Sequence, residues 1–158
     1  MGTSKQNQNR KKESLRTWLR LLSCESLIEQ KLRSEFRKQF DVTLPQFDVL
    51  SELDHAKSPL TMSELSQELM VSNGNITGVI DRLVTMGLVQ RERPEHDRRI
   101  QYIQLTKAGS KEFHRMAKLH ETWVSDLMTG ISLKDMQQLQ ALLLQTRNSA
   151  LQNQSRIS

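Results

Sequence analysis

The sequence predicts a mainly α-helical chain with one small β-hairpin, and three observations predict it. Apolar residues recur at three- and four-residue steps through most of the chain, and capping residues open several of these periodic runs. Two short runs of strand-type residues, Leu88 to Arg93 and Ile100 to Leu105, flank turn material from Arg93 to Arg99 that includes Pro94, His96 and Asp97. A length of 158 residues is about one domain, which argues against a multidomain enzyme. Mean hydropathy is −0.59 and no apolar run approaches the ~18 to 20 residues that span a bilayer, so no membrane association is expected. The polar, basic N-terminus is not followed by an apolar segment, and the expected location is cytoplasmic. A lone cysteine, Cys24, cannot form an intramolecular disulfide and supplies too few thiolates for a zinc knuckle or an iron–sulfur cluster.

Residues 1–12 are rich in Gln, Asn, Lys and Ser without apolar spacing, and read as a disordered basic tail. From Glu13 to about Gln39 there is no Gly or Pro, and Leu15, Trp18, Leu19, Leu22, Leu27, Ile28, Leu32, Phe36 and Phe40 keep helical register. Leu21 and Cys24 widen the apolar surface, which implies burial on more than one side; a second chain is one explanation. Thr43 and Gln46 form a capping box for the next helix, with Val42 and Phe47 placed as a hydrophobic staple and Pro45 in the first turn. Thr61 and Glu64 repeat the box ahead of a helix of barely two turns.

Ser72 is the next N-cap, and the helix after it has Ile76, Val79, Ile80 and Leu83 on one face. Its opposite face carries Asn73, Asn75, Thr77, Gly78, Asp81 and Arg82, and Gly87 suits a left-handed C-terminal cap. Two short helices joined by a tight polar turn describe a helix-turn-helix. A hairpin directly after the second helix is a wing, and it places Arg98 and Arg99 where they can reach phosphates or a minor groove. Thr106 caps a long helix to about Thr129, carrying Phe113, Met116, His120, Val124 and Leu127. Ser132 and Asp135 open the last helix, and residues 150–158 form a polar tail. The fold class is therefore a winged helix-turn-helix, about residues 43–105, flanked by long helices at about 13–40 and 107–149 in a single domain of residues 13–149.

Charge points the same way. There are 23 basic against 18 acidic residues, a net charge of +5, and Arg91, Arg93, Arg98 and Arg99 fall within nine residues. An excess clustered at the tip of a hairpin favours an anionic partner more than a scattered one does.

Asp97-Arg98-Arg99 followed by Leu105-Thr106, with Asp81-Arg82-Leu83 and Leu88-Val89 after Gly87, resembles the wing signature and recognition helix of MarR-family transcriptional regulators. The resemblance implies a homodimer whose first and last two helices form the dimerisation region. It implies binding to a palindromic double-stranded DNA operator, repression, and release by a small-molecule effector, with no cofactor and no enzymatic activity. Carried over, it makes Ser72, Asn73, Asn75, Thr77, Gly78 and Arg82 DNA-contacting residues of the recognition helix, and Arg98 and Arg99 those of the wing. Asp97 would pair with Arg99 and orient it into the minor groove. The residue chemistry agrees: Asn can bond a base edge, Thr can touch a thymine methyl, and Gly permits close approach.

Family pockets lie between the dimer helices and the winged lobe, which makes Trp18, Arg20, Leu22, Arg33 and Phe47 ligand candidates for an aromatic carboxylate or its coenzyme A thioester. A redox-responsive regulator acting through Cys24 is an alternative. Against it, the position used by the family's peroxide-sensing branch falls near Leu19 and its supporting tyrosines are absent, so Cys24 reads as buried and inert. A winged-helix protein-interaction module that never touches DNA is the other alternative. Among the histidines, His114 and His120 are separated by roughly 120° around a helix and do not form a metal pair; they read as surface residues.

Overall fold

The fold is that of a computed structural model, which describes residues 2–56, 58–70, 72–94 and 99–154. The elements in order are α1 (Gly2–Phe40), α2 (Leu44–Ala56), β1 (Leu60–Thr61), α3 (Met62–Glu68), α4 (Asn73–Thr85), β2 (Val89–Glu92), β3 (Tyr102–Leu105), α5 (Lys107–Leu127) and α6 (Leu133–Asn153). The chain divides into two compact units, Met1–Thr122 and Trp123–Ser158.

Local chemistry sets most of the helix starts. Thr43 N–H donates to the Gln46 side-chain oxygen at 2.9 Å and Gln46 N–H returns to Thr43 Oγ1 at 3.4 Å, so the one buried polar side chain among the described residues is satisfied. Val42 and Phe47, the staple pair, are both buried. Thr61 and Glu64 close a second box, with Glu64 N–H donating to Thr61 Oγ1 at 3.2 Å. Thr61 also ends β1, a strand too short to be anticipated from the sequence. It joins the hairpin into a three-stranded antiparallel sheet of order β1-β3-β2, with Leu60 opposite Ile103 and Arg91 opposite Ile103 on the other side.

Residues 2–12 are helical rather than disordered, because a helix already nucleated adds one backbone hydrogen bond per residue and nothing in this stretch breaks it. The helix ends at Asp41, whose φ of 53° is left-handed. Only the C-terminal part of α1 is buried: Leu32 and Phe36 enter the core, while Leu15, Trp18, Leu19, Leu22 and Leu27 are exposed. Cys24, expected to be buried, is likewise exposed, since no described residue of its unit covers this half of α1. α6 likewise buries no residue, and Leu139, Leu142 and Leu143 are exposed along it. No helix among the described residues is long and apolar enough to cross a membrane.

The core of the first unit is an aromatic and aliphatic cluster. Phe36 and Phe47 lie 4.5 Å apart by ring centroids, Phe47 and Phe113 5.6 Å, and Leu50, Leu65, Ile76, Ile80, Leu83 and Ile103 are fully buried around them. His120 belongs to this cluster, 5.0 Å from Phe47 and 5.8 Å from Phe36, and is not the surface histidine expected. Burial holds its pKa below the ordinary imidazole value. The unfolded chain then takes up the proton more readily, so stability is fully present above about pH 6.5 and declines as pH falls through the imidazole range. Urea unfolding of His120→Leu is expected to show a flatter dependence between about pH 7 and 5 than wild type; parallel curves for the two proteins would remove His120 as the cause.

Candidate nucleic-acid interface

The second helix of the helix-turn-helix, α4, is held by its caps. Ser72 has extended backbone and its Oγ accepts from Asn75 N–H at 3.4 Å. At the other end Gly87 takes φ 73°, with Gly87 N–H donating to Val84 O at 2.9 Å and Leu88 N–H to Leu83 O at 3.0 Å. That pair of bonds is a Schellman motif, with Leu83 and Leu88 as its buried apolar contact.

With Ile76, Ile80 and Leu83 facing the core, Asn75, Thr77, Gly78 and Arg82 are exposed on the outside of α4. A Cβ built on Gly74 or Gly78 meets nothing within 4 Å. Glycine inside a helix costs about 1 kcal/mol relative to Ala. No described neighbour fills the space a side chain at Gly74 or Gly78 would take, so this strip of α4 is bare. Gly74 was not singled out from the sequence, where it reads only as a turn residue. Asn73 begins α4, and its side chain lies outside the described residues.

The strands place the wing. Their pleat puts Arg91 on the same face as Val89, toward α4, and Arg91 forms an ion pair with Asp81. Asp81 is thereby engaged with the wing strand, a pairing that sequence spacing alone does not disclose. Gln104 donates to Glu92 at 3.2 Å across the hairpin. Arg99 is exposed where the chain returns toward β3. Asp97 and Arg98, assigned to orient and to contact, lie outside the described residues.

A further set of bonds fixes the wing and α4 to the start of α5. Thr106 Oγ1 donates to Gly87 O at 2.7 Å and accepts from Gly109 N–H at 2.9 Å, while Thr106 N–H donates to Leu88 O at 3.0 Å. Gly109 is buried against this joint, and a Cβ on it would sit 1.8 Å from Leu88 O. Thr106 was legible as a helix cap; Gly109 was not singled out.

A cavity of about 350 Å³ opens beside α4, lined by Pro45, Asp48, Val49, Leu69, Asn75, Ile76 and Val79. Asp48 reaches solvent, yet its apolar surroundings remove enough water to raise its carboxyl pKa. None of the five ligand candidates lines this cavity. Trp18, Arg20, Leu22 and Arg33 are exposed along α1, with Arg33 paired to Glu29, whereas Phe47 is closed into the core at 7% exposure. The protomer does not gather them into one pocket.

A two-helix reader with a bare, hydrogen-bonding outer face, followed by a braced hairpin, defines a winged helix-turn-helix transcriptional regulator. Residues 40–100 match the model of the MarR family. The chain is 30% identical over 118 residues to YkoM of Bacillus subtilis, an uncharacterized HTH-type transcriptional regulator, covering 75% of each protein. It is 31% identical over 119 residues to the HTH-type transcriptional regulator PecS of Dickeya dadantii, covering 74% of this chain and 71% of PecS. A crystal structure of mutant MarR from E. coli complexed with operator DNA matches with a TM-score of 0.73 at 25% identity, covering 85% of this chain and 95% of that one. The chain belongs to the MarR family of helix-turn-helix transcriptional regulators, whose members are regulators and not enzymes.

Proposed function

We propose that the chain is a homodimeric repressor that binds a palindromic operator through α4 and the wing and is released by a small-molecule effector. The outward face of α4 carries the reading: Asn75, Thr77, Gly78 and Arg82 are exposed together beside Gly74. Asn75 and Thr77 would read base edges in the major groove, with Asn73 beside them; Ser72, as the cap, and Arg82 would hold phosphate, and the two bare glycines would let the helix sit close. Arg98 and Arg99 would add the wing contacts, with Asp97 orienting Arg99. The likeness to E. coli MarR, solved in complex with operator DNA, supports DNA as the partner.

Dimerisation is supported by the exposed apolar surfaces. Leu15, Trp18, Leu19 and Leu22 form one stripe of α1, and Leu139, Leu142 and Leu143 recur on α6. An amphipathic helix draws most of its stability from burying its apolar face, and a second copy of the chain supplies that burial. A footprint of two half-sites about one helical turn apart, with affinity falling steeply with salt, is the expected result. Salt-insensitive binding, or none to any duplex in a random-sequence pool, would favour the protein-interaction module instead.

Asn75→Ala is expected to relax sequence preference at one base position per half-site by about 1–3 kcal/mol while leaving affinity for unrelated DNA unchanged. Enrichment of duplexes from a random pool by wild type and variant measures it; identical enriched motifs would remove Asn75 from the reading surface. For the effector, Trp18, Arg20, Leu22 and Arg33 would come together only where α1 meets a second copy. Thermal-shift screening of aromatic acids and their thioesters, followed by DNA release, tests the pocket. A hit that stabilises the fold without weakening DNA binding would count against an effector role.

A further inference from the structure

We infer that Met70, in the turn between α3 and α4, is a DNA-contacting residue whose side chain packs on an apolar surface of the duplex, a deoxyribose face or a thymine methyl. The inference rests on the DNA-binding reading of α4. Two observations carry it. Met70 has φ 53°, the left-handed region, where the Cβ of an L-residue crowds the following carbonyl oxygen and where glycine or asparagine is usual. It is also 80% exposed, the highest value among the exposed large hydrophobic residues described.

The left-handed φ ends α3 as it ends α1 at Asp41, but neither that φ nor the exposure calls for methionine: glycine adopts the φ without strain, and an apolar side chain gains nothing from water. The backbone closes the turn by itself: Leu69 N–H donates to Leu65 O at 3.0 Å and Met70 N–H to Gln67 O at 3.2 Å. Glycine at this position would relieve the backbone, and a polar side chain would relieve the exposure. A residue that does neither is accounted for by a contact outside the chain. Position identifies the contact, because Met70 stands two residues before the Ser72 cap, at the end of α4 that presents Gly74, Asn75 and Gly78. A duplex surface there is mostly anionic, and its apolar features are sugar faces and thymine methyls. A long, polarizable thioether side chain adapts to such irregular surfaces.

The test uses the full chain and two duplexes, one enriched by wild type from a random-sequence pool and one unrelated. Met70→Gly is expected to raise the Tm of the free protein by about 2–4 °C by removing the strain. It is expected to weaken binding to the enriched duplex by about fivefold to tenfold, the loss of a part-buried apolar side chain. Met70→Leu, which keeps the apolar bulk, is expected to bind within about twofold of wild type. Equal losses on both duplexes would assign the contact to the sugar, and a loss confined to the enriched duplex would assign it to a thymine methyl. Met70→Gly binding both duplexes like wild type, or Met70→Leu binding as weakly as Met70→Gly, would overturn the proposal. Arg99→Ala measured alongside separates the failures, since an unweakened Arg99→Ala would sink the DNA face as a whole.

Discussion

Gly109→Ala should remove a large share of the fold's stability. The added methyl would lie 1.8 Å from Leu88 O, 2.7 Å from its carbonyl carbon and 3.1 Å from its Cα, all backbone atoms with no rotamer to escape into. Relief requires moving the first turn of α5 off β2, which breaks the Thr106 bonds to Gly87 and Leu88 and opens the core beside Phe113 and Met116. A cost of about 4 kcal/mol or more is expected, against a total stability of about 5–15 kcal/mol for a domain. Gly130→Ala is the control, because a Cβ there meets nothing within 4 Å, and its effect should stay within about 0.5 kcal/mol. Urea midpoints that agree for Gly109→Ala and wild type would show that the joint can yield.

Arg99→Ala should weaken DNA binding about tenfold to a hundredfold, and should do so on the enriched and the unrelated duplex alike. A wing arginine acts on phosphate and groove potential, so its loss removes affinity without changing which bases are preferred. In a dimer both copies are lost, and the slope of log affinity against log salt should fall by about 2. Anisotropy titrations across a salt series measure both quantities. An unchanged slope would mean that Arg99 never meets the phosphate backbone, and the wing would then need another role.

The capping boxes at Thr43 and Thr61, the Ser72 cap and the Gly87 terminator were all legible in the sequence, because each is a contract between residues a few positions apart. The exposed set on α4 was legible for a similar reason, since helical period alone assigns Ile76, Ile80 and Leu83 to the core. What escaped was nonlocal. Gly109 looks like any glycine near a helix start until Leu88, twenty-one residues earlier, is seen against it. The Asp81–Arg91 pair depends on strand register, and β1 is two residues whose partners, Ile103 and Tyr102, lie far along the chain. Periodicity also shows that a face is apolar without showing what covers it, which is why Leu15, Leu27 and Cys24 were read as covered and are exposed. Met70 escaped because its φ is a property of the turn and not of its residue type.

The Thr106 hydroxyl bonds the terminator of the recognition helix and the start of α5 at once, and the Asp81–Arg91 pair ties the same helix to β2. Helix α4, strand β2 and the first turn of α5 are therefore braced against one another. Movement of one would be expected to carry the others, with the start of α5 as the handle. Each protomer of a dimer would have a single coordinate by which to match or miss the repeat of the double helix. A signal acting on the start of α5 would not need a separate route to α4 and to β2, because one displacement would be felt by both.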